Sequence, residues 1–350
     1  MSTTPTRTAA ALGALALTLA GCSLTGGGGD DEAGDGGEVT VVTHDSFALS
    51  EDLLAQFEAE TGYTLTFVAP GDGGALVNQL VLTKDSPLGD VVYGIDNTFA
   101  ARAVDAGVLE PYTSPDLPDS AGEYVLDEAL TPVDVGDVCV NVDHQWFADA
   151  GLPEPVTLED LADPAYRDLL VVTNPATSSP GLAFLAATVG AFGDGWQDYW
   201  ADLADNGVKV VEGWSDAYYV DFSGSEGAGL RPLVLSYASS PAAEVTAGGG
   251  DPRTGALLET CFRQVEHAGV IAGAQNVEGA RAFVDFLVSA DVQADIPGQM
   301  FMYPVDTDVA LPEAWAAYAP LAEEPHDVPA EQIAAEREDW IAAWTEIVIG

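Results

Sequence analysis

Basic residues are the scarcest class in this chain: ten lysines and arginines stand against 57 aspartates and glutamates, a formal net charge of −47. Lys84 and Lys209 are the only lysines. Nucleic acid is thereby excluded as a partner, because neutralising its phosphates takes basic patches. The acidity runs along the whole chain, which fits solubility in a salty or alkaline medium; a field that draws in a cationic ligand is the alternative. Histidine numbers four, His44, His144, His267 and His326, and no two lie at metal-ligand spacing, so no metal site is expected. Cysteine is limited to three residues. No Gly-x-Ser-x-Gly elbow occurs, and Gly224-Ser225-Glu226-Gly227 has the wrong spacing for one. Gly26 to Gly29 lack the lysine and serine of a phosphate loop. No cofactor is implied, and no catalytic set is complete.

What is present begins with an export signal. Arg7 precedes an apolar run, Ala9 to Ala20, too short to span a bilayer, and Leu19-Ala20-Gly21-Cys22 ends it. That ending resembles the lipobox of bacterial lipoproteins, which implies cleavage and lipidation at Cys22. Residues 1–22 are then the signal, and residues 23–38, rich in Gly, Asp and Glu without apolar periodicity, form a disordered tether. The protein is expected at the cell surface or in the periplasm, held to the membrane by its lipid. Cys139 and Cys261 remain in the exported body, and an even pair in an oxidising compartment fits a disulfide, although sequence does not give their separation.

The body of about 310 residues exceeds one comfortable core and suggests two lobes. Strand-like runs at 39–43, 63–69 and 90–93 alternate with helical patterns at 50–61 and 75–82, the signature of a mostly parallel α/β sheet. The pattern resumes with strands at 169–173, 208–211 and 233–237. Two longer runs, 133–142 and 262–270, are read as crossings between lobes. Lobe 1 is expected to hold 39–133 plus about 265–305, and lobe 2 134–264 plus about 306–350. Ile333, Trp340, Ile341, Trp344 and Ile347 share one face of a terminal helix, read as a packing face because the opposite face is acidic.

Gly213-Trp214-Ser215-Asp216-Ala217-Tyr218 and Leu235-Ser236-Tyr237 crowd rings and hydroxyls beside turn signals, suiting a flat, polar, cationic ligand. Ligands of parallel sheets sit at the carboxyl ends of strands, where the loops His44-Asp45-Ser46-Phe47, Gly71 to Gly74 and Gly94-Ile95-Asp96-Asn97 are placed. These blocks, with Asp90-Val91-Val92-Tyr93, Thr177-Ser178-Ser179-Pro180-Gly181-Leu182, Ser240-Pro241 and Met302-Tyr303-Pro304-Val305, resemble the thiamine-binding proteins of bacterial ABC transporters in order and approximate spacing. The resemblance covers nearly the entire exported body.

It implies a type II periplasmic-binding fold, with two lobes closing on thiamine, thiamine monophosphate or thiamine diphosphate, and a monomer that delivers the ligand to an ABC permease and its ATPase. Trp214 and Tyr237 match aromatic positions that contact the ligand. Asp72, Gly73 and Ser178 match positions around its heterocycles and phosphate. His44, Asp45, Asp96 and Tyr218 lie in the same blocks, Phe301 directly precedes the last of them, and these five complete the expected site. The chain departs from the family at His44, where a tyrosine is usual, at Phe301 in place of a tryptophan, and at Ala243 in place of another tyrosine. No tryptophan shortly follows the Asp-Ser-Phe block. Two alternatives follow from the fold: a thiaminase-I-like enzyme with Cys139 as nucleophile, or a binder of another solute such as ferric iron through Tyr218 and Tyr219.

Overall fold

A computed structural model of the protein describes residues 36–225, 229–245 and 250–350. The expected export signal, Cys22 and the expected tether up to residue 35 lie outside the described residues, whereas Gly37 and Glu38, read as tether, already belong to the first strand, paired with Tyr63 and Thr64. Strand β1 (Gly37–Thr43) has β2 (Tyr63–Val68) on one side and β3 (Val91–Asp96) on the other, both parallel to it. The helices Glu51–Thr61 and Gly73–Leu82 connect them, each burying its apolar side: Phe57 in the first, Leu76, Val77 and Leu80 in the second. After the short β4 (Leu109–Glu110), the chain enters β5 (Thr131–Asp143), thirteen residues that are all buried.

The second parallel set follows, with β6 (Leu170–Thr173) between β7 (Lys209–Val211) and β8 (Leu233–Tyr237). Strand β9 (Thr254–Ile271) then runs for eighteen residues antiparallel to β5, and β10 (Tyr303–Pro304) pairs with β5. The sheet order is β2-β1-β3-β9-β5-β8-β6-β7. Each end of the sheet is therefore parallel, as the βα pattern predicts, while the two long central strands run against their neighbours. That antiparallel centre has a simple cause. The chain leaves the first set through β5 and returns through β9, so both crossing strands run opposite to the strands they join. The return crossing also starts eight residues before Phe262, where the apolar run begins.

Three irregularities shape the centre: the register slips between Tyr93 and Ile95, between Pro132 and Asp134, and between Val138 and Val140. Gly94 fills the first, at φ 99°, and a side chain there would run into the His44 ring. Cys139 sits in the third and is disulfide-bonded to Cys261 on β9, with the Cα atoms 4.2 Å apart. Neither sulfur is then a thiol nucleophile.

Helix Ser179–Phe192 is apolar all round and buried along most of its length. The terminal helix Ala330–Val348 packs on helix Trp196–Asp205, where Trp344 meets Trp200 edge-to-face at 5.5 Å. Its apolar face is thus a packing face. Among the described residues no helix is long and apolar enough to cross a membrane.

Candidate functional site

Loops at the carboxyl ends of the parallel strands line one cleft of about 640 Å³. His44 follows β1, Asp72 follows β2, Ser179 follows β6, Trp214 follows β7 and Ser240 follows β8. Tyr237 closes β8, Glu266 comes from β9, and Phe301 precedes β10.

Asp72 ties the two sets together. Its Oδ1 accepts the N–H groups of Gly73 at 2.6 Å and Ser179 at 3.0 Å, and its Oδ2 accepts that of Trp214 at 2.9 Å. Each donor opens a helix, so one carboxylate answers three helix N-termini. Burial pushes the Asp72 carboxyl above the ordinary aspartate range, and the three amides restrain that rise without cancelling it. Gly73 has to be glycine here, since a Cβ would meet the Ser179 side chain and stand 3.3 Å from the Gly94 carbonyl.

The aromatic wall is built around Trp214. Tyr218 stacks on it at 5.0 Å and 17°, while Tyr219 and Tyr237 approach edge-on at 5.3 and 6.4 Å. Trp214 Nε1 donates to Ser236 Oγ at 2.8 Å, which fixes the indole plane. Tyr218 donates its hydroxyl to Glu244 Oε1 at 2.5 Å, and Glu244 also accepts from Thr254 at 2.6 Å. Arg253 is the only lysine or arginine among the described lining residues, and it is committed to buried Asp143 by bonds of 2.7 and 3.0 Å.

A buried acid cluster also borders the cleft through Glu266. Glu266 on β9 stands opposite Asp134 on β5 and Asp96 on β3 in the strand register. The Tyr93 hydroxyl reaches both Asp134 and Glu266, the latter at 2.9 Å. Burial and the Glu266 charge hold the Asp134 carboxyl well above its usual range. Burial opposes the Glu266 charge, but His44 and hydrogen bonds from Tyr93 and Asp134 outweigh it and lower its pKa. His44 Nε2 lies 3.4 Å from Glu266. Burial pulls the His44 pKa down, while the charges of Glu266, Asp72 and Asp45 pull it up; the net direction is upward.

Of the residues the sequence singles out, His44, Asp72, Trp214, Tyr218, Tyr237 and Phe301 meet at the cleft. Phe301 does so at φ 57°, one of two non-glycine residues with positive φ among the described residues. The other four lie behind or beside it. Gly73 is buried under the Asp72 carboxylate, and Ser178 is a buried helix cap whose hydroxyl donates to Thr173 at 2.8 Å. Asp96 is buried too, accepting from the amides of Thr98 and Phe99 and from the hydroxyls of Thr98 and Ser179. Asp45 is exposed, its N–H donating to the Gly71 carbonyl. Sequence reasoning missed Glu266, Glu244 and Ser179. Glu266 had a usable signal: a carboxylate inside an apolar crossing strand is costly to bury unless it works with partners.

Fold and cleft together define the class, a binding protein of the type II periplasmic-binding fold. The chain belongs to the family of bacterial extracellular solute-binding proteins, which it matches over residues 86–322. A thiamine-binding periplasmic protein of Salmonella typhimurium (strain LT2) is 33% identical over 323 residues, covering 89% of this chain and 93% of that protein. The solved structure of a periplasmic thiamin binding protein superposes with a TM-score of 0.79 at 29% identity, covering 89% of this chain and 96% of the other. A ferric binding protein from Campylobacter jejuni shares the fold alone, with a TM-score of 0.69 and 15% identity over 88% of this chain and 99% of the other. Such relatives bind solutes and are not enzymes, and this chain stands with them.

Proposed function

We propose that the protein captures thiamine and its mono- and diphosphate esters in the cleft and hands them to an ABC permease with its ATPase. The observation that carries this reading is the Trp214–Tyr218 stack with Tyr237, facing a cleft that also holds the carboxylates of Asp72 and Glu266. A thiazolium ring is flat and permanently charged. Desolvated over an aromatic face it gains about 0.5–2 kcal/mol, and nearby carboxylates add Coulomb attraction. The cleft, at about 640 Å³, falls within the range that encloses small organic ligands. The relatives named for thiamine binding support the same reading.

The two sets of strands act as two lobes, about 39–133 with 265–305 and 134–264 with 306–350, which close by bending at β5 and β9. The protein works as a monomer at the cell surface or in the periplasm, anchored through lipid on Cys22. The disulfide between Cys139 and Cys261 leaves a thiaminase-like reaction without its nucleophile. Calorimetric titration with thiamine, its two phosphates and Fe(III) tests the reading. Saturable heat with the thiamine compounds and none with Fe(III) is expected; no heat with any thiamine compound refutes it. Lipid at Cys22 is checked by mass spectrometry of the N-terminal peptide, where an unmodified cysteine would refute the anchor.

A further inference from the structure

Two polar atoms of the described cleft lining are buried without a hydrogen-bond partner, Nε2 of His44 and Oγ of Ser239. A buried polar group left unpaired costs about 1–3 kcal/mol, so each marks a place where a ligand can complete the bonding. The Ser239 hydroxyl both donates and accepts, and so discriminates little. His44 is directional. Its Nδ1 accepts the N–H of Ser46 at 3.1 Å, which makes the ring neutral and leaves its one proton on Nε2. Oε1 of Glu266 lies 3.4 Å from that nitrogen, beyond the about 2.7–3.2 Å of a good N–H···O bond. The other oxygen, Oε2, accepts the Tyr93 hydroxyl at 2.9 Å, which holds the carboxylate in place with Oε1 beside the imidazole. A donor and an acceptor thus stand side by side at the cleft, one in the loop after β1 and one on β9.

We propose that His44 and Glu266 together read the aminopyrimidine ring of the ligand, His44 Nε2–H donating to the ring nitrogen N3′ and Glu266 Oε1 accepting from the 4′-amino group. The inference rests on the reading of the ligand as a thiamine compound. In that ring the two atoms are neighbours on one edge, an acceptor next to a donor, which is the complement of what His44 and Glu266 present. The pairing also divides the ligand between the two sets of strands. The pyrimidine edge meets residues from β1 and β9, while the thiazolium lies over Trp214 and Tyr218 beyond β7. Such an edge has a sense, and that makes it selective. Oxythiamine, the 4′-oxo analogue, keeps the thiazolium charge and nearly the same shape, but carries N3′–H and a carbonyl in the two places. Its N–H then faces the His44 N–H and its carbonyl faces the Glu266 carboxylate, so neither group of the protein is satisfied.

The test is calorimetry with thiamine and oxythiamine at about pH 8, above the ordinary range of histidine, on the wild-type protein, Glu266→Gln and His44→Phe. The quantity read is the ratio of the two affinities, because a general loosening of the cleft weakens both ligands alike and leaves the ratio unchanged. Wild type is expected to prefer thiamine by about a hundredfold or more. Glu266→Gln can turn its amide NH₂ to the oxo group, and should lower that ratio by about tenfold or more. His44→Phe keeps a ring but loses the donor and its clash with N3′–H, and should lower the ratio as well, with thiamine itself bound about tenfold more weakly. Circular dichroism checks folding, and if Glu266→Gln does not fold, the wild-type ratio and His44→Phe decide. Wild type binding the two compounds within twofold of each other overturns the inference. A ratio unchanged in both variants does so too, since a Glu266 that only answered the thiazolium charge would weaken both compounds equally. Either result leaves the ligand assignment standing, whereas absence of thiamine binding to the wild type overturns both.

Discussion

Replacing Trp214 with alanine removes the centre of the aromatic wall while leaving the frame of the cleft in place. The backbone N–H of residue 214 still donates to Asp72, so the contact between the two sets of loops survives. What is lost is the indole stacked on Tyr218 and its bond to Ser236. For a thiazolium ligand the loss combines about 0.5–2 kcal/mol of cation–π attraction with about 1 kcal/mol of apolar contact. That corresponds to about a tenfold to hundredfold weaker binding. Trp214→Phe keeps a ring but not the Ser236 bond, and should fall between the two. Calorimetry measures the affinities, and intrinsic fluorescence offers a second reading, since a ligand-quenched signal from Trp214 disappears while the other tryptophans of the seven remain. A melting curve guards against misfolding, for the lost Ser236 bond is worth about 1 kcal/mol. Trp214→Ala binding thiamine within twofold of wild type would show that the aromatic wall does not carry recognition.

Asp72→Asn keeps one oxygen for the Gly73 and Ser179 amides but sets an NH₂ against the Trp214 N–H, so urea denaturation should show a loss of about 2 kcal/mol. An unchanged midpoint would mean that the three helix starts do not depend on this carboxylate. Asp134 has its pKa raised by folding, so its stabilising effect is complete below the unfolded value, and is lost as pH rises through the folded one. Asp134→Asn, which mimics the protonated acid, should therefore be more stable than wild type at alkaline pH and nearly equal near pH 4; parallel stability–pH curves for the two proteins would contradict this. Reducing the Cys139–Cys261 disulfide, which spans 122 residues of chain, should cost about 2–4 kcal/mol in chemical denaturation. A thiol assay that finds free cysteine in the untreated, unfolded protein would count against the bond itself.

Much of the scaffold was legible because it rests on local patterns. Period-two and period-3.6 apolar spacing marks β1, β2 and the helices between them, and the long apolar runs mark both crossings. The antiparallel centre was harder to see, because it depends on which direction the chain returns through the sheet. Trp214 and Tyr237 could be singled out as residue types suited to a cation in loops at strand ends, and Asp72 through the resemblance of its loop. Ser178 and Asp96 share those loops, but capping and burial turned their side chains inward. Glu266 was overlooked for the opposite reason. It lies in a strand, away from any loop, and only its register beside Asp134, Tyr93 and His44 gives it a role.

The sequence by itself determined the acidity, the alternation of strands and helices, and the residue chemistry suited to a flat cation. Each of these is a property of composition or of spacing along the chain. Tertiary structure decided which of those residues share a cleft, that Asp72 answers three helix starts at once, and that Glu266 faces a histidine instead of solvent. Such facts depend on contacts between residues 100 or more positions apart, whose geometry is set by packing and strand register and leaves no local pattern to read.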